Sequence, residues 1–436
     1  MNPNNPINPI NIKLLEPTDA PAWDSYVLSH PQSTLYHLSG WKNVIEKTYG
    51  HKTYYLMATK EYEQAENIFK INNQNNTSNS TDPSNPINFH PVKFFGENSA
   101  ANLTGASNPN NSTDPSNPSN PTNTINSSNY HVVGILPLVH LKHFLFGNSL
   151  ISIPYFDLGG ILADDQDTER ALLQAAIKLG RELGVDNIEL RHIEPLSWLS
   201  EINSKNPINP SNLLNCVTKS HKVRMLLDLP DSSEILMKSF NSKLRSQIKK
   251  PMKEGLTSKI GGIELLNDFY KVFAINMRDL GSPVHSKRML GNVLEEFPEN
   301  SRIVIVYKED QPIACSMVVG FKDILENPWA SSLKEYSRLS PNMLLYWAML
   351  EYACDNGFAY FDFGRSSPDE GTYKFKEQWG PKPMPLHWQY AILNGQPEDA
   401  GVTEKSKYLK AIGYWQKLPV WVTKIIGPRV RKHIGL

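Results

Sequence analysis

Cysteine is scarce in this chain: Cys216, Cys315 and Cys354 are the only three in 436 residues. They lie far apart and fit no C-x-x-C spacing, so they build neither a disulfide framework nor a thiolate metal site, and they suit a reducing compartment. Long apolar runs are missing too, since none approaches the roughly 20 residues that a spanning helix needs. The Asn/Pro-rich start, Met1 to Ile12, has neither a basic nor an apolar stretch and does not read as a secretory signal. The expectation is a cytoplasmic protein that touches the inner face of a membrane, if at all, through its C-terminal end. Net charge is absent as well: 44 acidic residues balance 44 basic ones. No overall field draws the protein to nucleic acid, and any anion site must be local. There is no G-x-S-x-G elbow, and Cys315 and Cys354 stand in apolar contexts that suit packing. A covalent acyl-enzyme is therefore not expected.

What the chain does have is Asn, Pro, Ser and Thr in three tracts: 1–11, about 72–129 and 203–212. These residues form turns and offer little to bury, so the tracts read as disordered insertions. The middle tract interrupts a hairpin of KTYYLMAT (Lys52–Thr59) and YHVVGILPLVH (Tyr130–His140), both rich in aromatic and β-branched residues. Loop-closure cost grows only slowly with length, so such an insert is tolerable.

Elsewhere helices and strands alternate. Helices are expected over Leu35–Tyr49, Thr168–Leu183, Ser233–Glu254, Ile263–Arg278, Pro341–Asn356 and Gly371–Trp379. Strands are expected over Leu150–Tyr155, Asn187–His192, Lys222–Leu229, Phe358–Phe363 and Leu386–Ile392, with a hairpin of Arg302–Tyr307 and Pro312–Val319. The pattern predicts an α/β fold with mixed sheets in two similar halves, 12–218 and 219–400, before an amphipathic basic tail, 401–436.

The unusual residues lie in the second half. In SKLRSQIKKPMKEG, Lys243, Arg245 and Lys249 lie on one helix, with Arg245 and Lys249 on a common face that could hold phosphates or simply be solvated. RDLGSPV places Arg278, Asp279 and, next, His285 at a rigid helix stop. ENPWASS sets Trp329 in a strand, where core and pocket wall are both open readings. In SPNMLLYW, Ser340 and Pro341 start a helix whose free N–H groups suit an anion beside Asn342, with Tyr346 one turn on. FDFGRS and YKFKEQWG form the densest group: Asp362 among large apolar residues, then Gly364, Arg365, Ser366, Lys374, Lys376 and Trp379. A carboxylate so placed is paired, protonated or functional. Ion pairing with Arg365 or Lys376 competes with a role as general base.

In this order these segments resemble the FemAB-like family, especially its branch associated with exosortase and exopolysaccharide systems. WKNVIEKTYGH, GILPL, LFGNSL and IPYFDLGG carry the likeness in the first half; KLRSQIKK, NMRDLGSPV, PWASS, SPNMLLYW, FDFGRS and YKFKEQWG carry it in the second. The resemblance implies two tandem GNAT-type domains and direct transfer of an acyl or aminoacyl group in cell-envelope synthesis. The donor would be acyl-CoA or aminoacyl-tRNA, and the acceptor a small or lipid-linked precursor; no cofactor stays bound. Asp362 would take the proton, with Asp279 and His285 in reserve. The basic residues would hold phosphates, and Trp329, Tyr346 and Trp379 would shape the pocket. The chain departs from better-known members in lacking a coiled-coil arm, which is associated with tRNA. It also lacks the Q/R-x-x-G-x-G/A loop of simple GNAT enzymes, so both donors stay open. A non-catalytic module that recognises a nucleotide-sugar or lipid-linked precursor is the rival reading.

Overall fold

Alternating helices and strands resolve into two mixed sheets, each with a parallel pair joined through a helix. The computed structural model describes residues 9–61, 130–199, 215–368, 370–395 and 411–435. Apart from Glu61 at the end of β2 and Tyr130–His131 at the start of β3, the fold below lies within the unit of residues 1–60 and 132–436. The Asn/Pro tracts fall outside the described residues, apart from the end of the first.

The chain runs β1 (Asn11–Leu14), α1 (Ala20–Ser29), α2 (Gly40–Tyr49), β2 (Thr53–Glu61), β3 (Tyr130–His143), β4 (Gly147–Ile151), β5 (Leu162–Ala163), α3 (Gln166–Leu183), β6 (Asn187–His192) and β7 (Asn215–Lys219). It continues with β8 (Val223–Asp228), α4 (Ser233–Ser239), α5 (Ser242–Lys253), β9 (Leu256–Gly261), α6 (Leu266–Asp279), α7 (Lys287–Glu296), β10 (Ser301–Lys308) and β11 (Gln311–Phe321). β12 (Ile324–Ser332), α8 (Pro341–Asp355), β13 (Tyr360–Ser366), α9 (Gly371–Glu377), β14 (Lys382–Pro385), β15 (His387–Ile392) and α10 (Val420–Arg431) complete it.

The first sheet has the order β1-β2-β3-β4-β6-β15-β7, with β5 on β3; the second has β14-β8-β13-β12-β11-β10-β9. The expected hairpin partners β2 and β3 are neighbours. The parallel pairs are β4 with β6, across α3, and β12 with β13, across α8. β15 lies between β6 and β7 in the first sheet, although it follows every strand of the second. α3 buries Leu172, Leu173, Ala176 and Ile177, the 3.6-period face of its sequence, at about 1.5–3 kcal/mol for each large side chain. Asp165 caps its start by accepting the Thr168 N–H at 2.7 Å, and Gly184 closes it at φ 63°.

The expected Leu35–Tyr49 helix starts only at Gly40, after a 3-10 turn over Leu35–His37, and two more expected elements end differently. The Ser233–Glu254 helix is split at Phe240 because Asn241 caps a new start, its side chain accepting the Leu244 N–H at 2.9 Å. The Leu150–Tyr155 strand stops at Ile151, since Ile153 and Tyr155 take positive φ, 57° and 79°. Arg191 donates to the carbonyls of Ile153 and Phe156, and the Tyr155 N–H donates to Gly435 O at 2.6 Å. Those bonds hold the loop in its strained shape. The halves meet where α2 packs on α7; Asn43 Nδ2 donates to Glu296 Oε1, and Asn292 Nδ2 to Thr48 Oγ1, both at 2.8 Å.

Candidate active site

β12 and β13 pair over Ile324 with Tyr360, Leu325 with Phe361 and Glu326 with Asp362. Opposite residues of a ladder project to one face, so Glu326 and Asp362 are side-chain neighbours. Asp362 is 2% exposed. Its Oδ2 accepts from Arg224 Nε and Nη2 of β8, both at 2.8 Å, and its Oδ1 accepts the Gly364 N–H at 2.9 Å. The ion pair expected with Arg365 or Lys376 thus forms with Arg224, because β8 is the antiparallel neighbour of β13.

Gly364 marks a shift in that ladder between Asp362 and Arg365. It adopts φ +75°, and a Cβ there would meet Asn327 O at 3.0 Å, so both conformation and contact require glycine. Lys376 of α9 clamps the irregular segment: its buried Nζ donates to Gly364 O at 3.0 Å and Arg365 O at 2.9 Å. Burial lowers its ammonium to about 8, while the Asp362 and Asp157 charges oppose the fall. Arg365 pairs with Asp157 of the first half at 3.2 Å and lies 5.3 Å from the Trp388 ring.

Glu326 is the second carboxyl of this group. Tyr36 of the first half donates its hydroxyl to Glu326 Oε1 at 2.8 Å. Burial raises the Glu326 carboxyl to about 8, and the Asp362 charge adds to the rise. Two carboxylates on one face repel unless one keeps its proton; the Arg224 pairing of Asp362 leaves Glu326 as the one that does. An aromatic wall adjoins them: Tyr36 stacks on Phe156 at 4.4 Å, Phe156 meets Trp329 at 5.5 Å, and Trp329 lies 6.0 Å from His285. His285 is fixed as a neutral ring. Arg431 Nε donates to its Nε2 at 2.9 Å, so the proton sits on Nδ1, 2.8 Å from the Tyr49 hydroxyl. Burial first, then the Arg431 charge, holds its pKa well below the usual histidine value.

The remaining candidates divide into groups. Tyr346 stacks on Phe363 at 5.6 Å and near Trp379 at 6.3 Å, and burial raises its phenol to about 12. Ser366 and Trp379 are buried, and neither Ser366 Oγ nor Trp379 Nε1 has a partner among the described residues. Asn342 is half-buried in the first turn of α8, while Lys374 is exposed on α9. Lys243 and Lys249 are exposed on α5, and Arg245 Nη1 donates to Lys238 O at 3.2 Å. α5 packs on α8, and Lys250 Nζ donates to Arg338 O at 3.0 Å in the turn before α8, so Lys250 borders the start of α8. Asp279 ends α6, bonded to its neighbour Arg278 at 2.5 Å; its carbonyl accepts from Gln416 at 2.9 Å. Those contacts face the C-terminal tail. Cys315 and Cys354 are buried, with burial raising both thiols, Cys354 to about 11.

Sequence reasoning did not single out Glu326, Arg224, Tyr36 or Asp157. One available signal was an acid at the start of ENPWASS, inside a strand of otherwise uncharged residues.

Residues 239–377 match a family model described as an acetyltransferase (GNAT) domain. That stretch contains both Glu326 and Asp362, and it marks the chain as a transferase. No curated protein matches the chain in sequence. Among solved structures, FemX is similar at a TM-score of 0.54 and 14% identity, over 88% of this chain and 98% of its own. Weaker matches are L-PGS from Bacillus licheniformis, with TM-score 0.42, 13% identity and coverage of 69% and 87%, and a tandem GNAT protein from the clavulanic acid biosynthesis pathway, with TM-score 0.37, 12% identity and coverage of 62% and 82%. The fold is the tandem, mixed-sheet α/β arrangement.

Proposed function

We propose that the chain transfers an acyl or aminoacyl group to an amine of a peptidoglycan or exopolysaccharide precursor, as a FemAB-type enzyme of the exosortase-associated branch. The supporting observation is the Glu326–Asp362 pair, set opposite each other where β12 and β13 stop pairing, within the stretch that matches a GNAT domain. The acceptor nitrogen attacks the donor carbonyl, a thioester of CoA or an ester of charged tRNA. Glu326 takes the proton that the nitrogen sheds; as the carbonyl re-forms, CoA leaves as its thiolate, or the ribose oxygen leaves and takes that proton back from Glu326. A base titrating near 8 is matched to that task, because it is partly free at neutral pH and strong enough to accept the proton. Asp362 orients and tunes Glu326 rather than taking the proton itself. Lys376 and Gly364 hold the backbone between them.

Donor phosphates fit the start of α8, beside the Lys250 ammonium. We assign the GNAT-like halves to 12–218 and 219–400, and a cytoplasmic setting with peripheral contact at the inner membrane face through the tail. Such contact would bring a lipid-linked acceptor within reach.

The test is mass spectrometry of envelope precursors after incubation with acetyl-CoA or charged tRNA in separate reactions. The expected result is an acyl mass gained by one acceptor with wild-type protein and not with Glu326→Gln. Consumption of neither donor, or equal turnover by Glu326→Gln, would overturn the reading.

A further inference from the structure

Among the described residues, α10 packs one side against the protein. Thr423 and Gly427 are buried, one turn apart, with Gly427 packed against Val284 of the segment after α6. The other side carries Trp421 at 65% exposure, Ile425 at 52% and Ile426 at 40%, with Lys424 and Arg429 between and beyond them. From Ala411 to the last residue the sequence contains no Asp or Glu. Large apolar side chains left in water at this density need an apolar partner.

Beside the helix runs a groove of about 300 Å³ between α6, the start of α7 and α10, lined by Tyr270, Lys271, Lys287 and Lys424 among others. Lys424 Nζ stands 5.5 Å over the Tyr270 ring; Lys271 bonds Gln311 and Lys287 bonds Asn267. None of these lysines pairs with a carboxylate among the described residues. The groove is therefore an uncompensated cationic site next to an exposed apolar ridge.

We infer that α10 lies in the interface of an anionic bilayer, with Trp421 and Ile425 at the acyl boundary and a lipid phosphate in the lysine groove. The combination decides for a lipid surface. An indole ring and long cationic side chains share the headgroup level, and an acid-free basic face is complementary to anionic headgroups. Val420–Arg431 is too short to span a bilayer, so the helix lies on it rather than in it. This deepens the membrane contact proposed above, and it is read without any acyl substrate, so its failure leaves the transfer reading standing.

The experiment is flotation of the full chain with vesicles of phosphatidylcholine alone or with one-third phosphatidylglycerol, in low salt and in about 0.5 M salt. The expected result is binding to the anionic vesicles, at least tenfold weaker on phosphatidylcholine and weakened by salt. Trp421→Glu with Ile425→Glu should lower binding at least tenfold, and Lys271→Glu with Lys424→Glu should remove the preference for phosphatidylglycerol. Circular dichroism and thermal melting confirm that each variant is folded. Wild-type protein that stays unbound on anionic vesicles overturns the inference, as does undiminished binding by a folded Trp421→Glu/Ile425→Glu variant. Sedimentation showing a wild-type dimer that this variant converts to monomer also overturns it, because the ridge would then be a self-association face.

Discussion

The two parallel strand pairs occupy equivalent places in their sheets and end in opposite ways. In the first half β4 and β6 pair from Ser149 with Asn187 to Ile151 with Glu189, an apolar residue against an acid. Two residues on, Arg191 ties the strands together: its N–H donates to Ser152 Oγ at 3.0 Å, and its guanidinium bonds Glu189, Ile153 and Phe156. In the second half the pair ends with acid against acid, Glu326 and Asp362, and two residues on stands Gly364, with no side chain. One pair is tied off by an arginine; the other puts two carboxyls side by side and brings the Gly364 backbone close to Asn327 O. The strand arrangement is shared, and the paired carboxyls stand in the second half.

The sharpest way to break this comparison is to remove the matching acids. Glu326→Gln should lower transfer about 10²–10⁴-fold, the usual worth of a general base, while Glu189→Gln should leave the rate within about threefold. Equal losses measured by single-turnover kinetics would mean that the second pair has no special role. Next come the arginines. Arg224→Met and Arg191→Met should each cost about 3–5 kcal/mol in urea unfolding, because each strands a buried carboxylate or carbonyls. Only Arg224→Met should move the activity profile, shifting its rise to higher pH, since the Arg224 charge lowers the Glu326 pKa.

Much of this was legible beforehand. Alternation placed most helices and strands, and glycines marked helix ends at Gly184 and Gly357. Asp362 stood out as an acid among phenylalanines, and buried it is. Its partners did not stand out, because they arrive through sheet order. Arg224 is 138 residues away and comes from an antiparallel neighbour; Tyr36 reaches Glu326 across 290 residues. No local pattern announces such pairs. The Ile153–Tyr155 loop looked like strand because its residues favour strand, and the carbonyl bonds of Arg191 overrode that preference.

Smaller effects sharpen the same contrast. Gly364→Ala should cost about 2–3 kcal/mol, combining a left-handed φ with the 3.0 Å approach to Asn327 O. Gly357→Ala, at φ +77° with nothing within 4 Å, should cost about 1 kcal/mol. Thermal melts of both variants check the difference. The same buried carboxyl also ties stability to pH. Glu326 has its pKa raised on folding from 4.5 to about 8, so the stabilisation from its bound proton is complete below 4.5 and is lost as pH rises through 8. The melting temperature of wild type relative to Glu326→Gln should therefore decline by a few degrees between pH 5 and 8. A flat difference would show that Glu326 titrates normally.

The seat of β15 between β6 and β7 has a consequence for how the protein is made. Among the described residues β7 pairs with β15 and with no other strand, so a ribosome must deliver residues through Ile392 before the first sheet can take in its last two members. Until then β6 carries an open edge, with Asn187–His192 offering unpaired amides to any passing strand. Nascent chains shorter than this should depend on chaperones, and a fragment ending near residue 218 should aggregate where the whole chain stays dispersed.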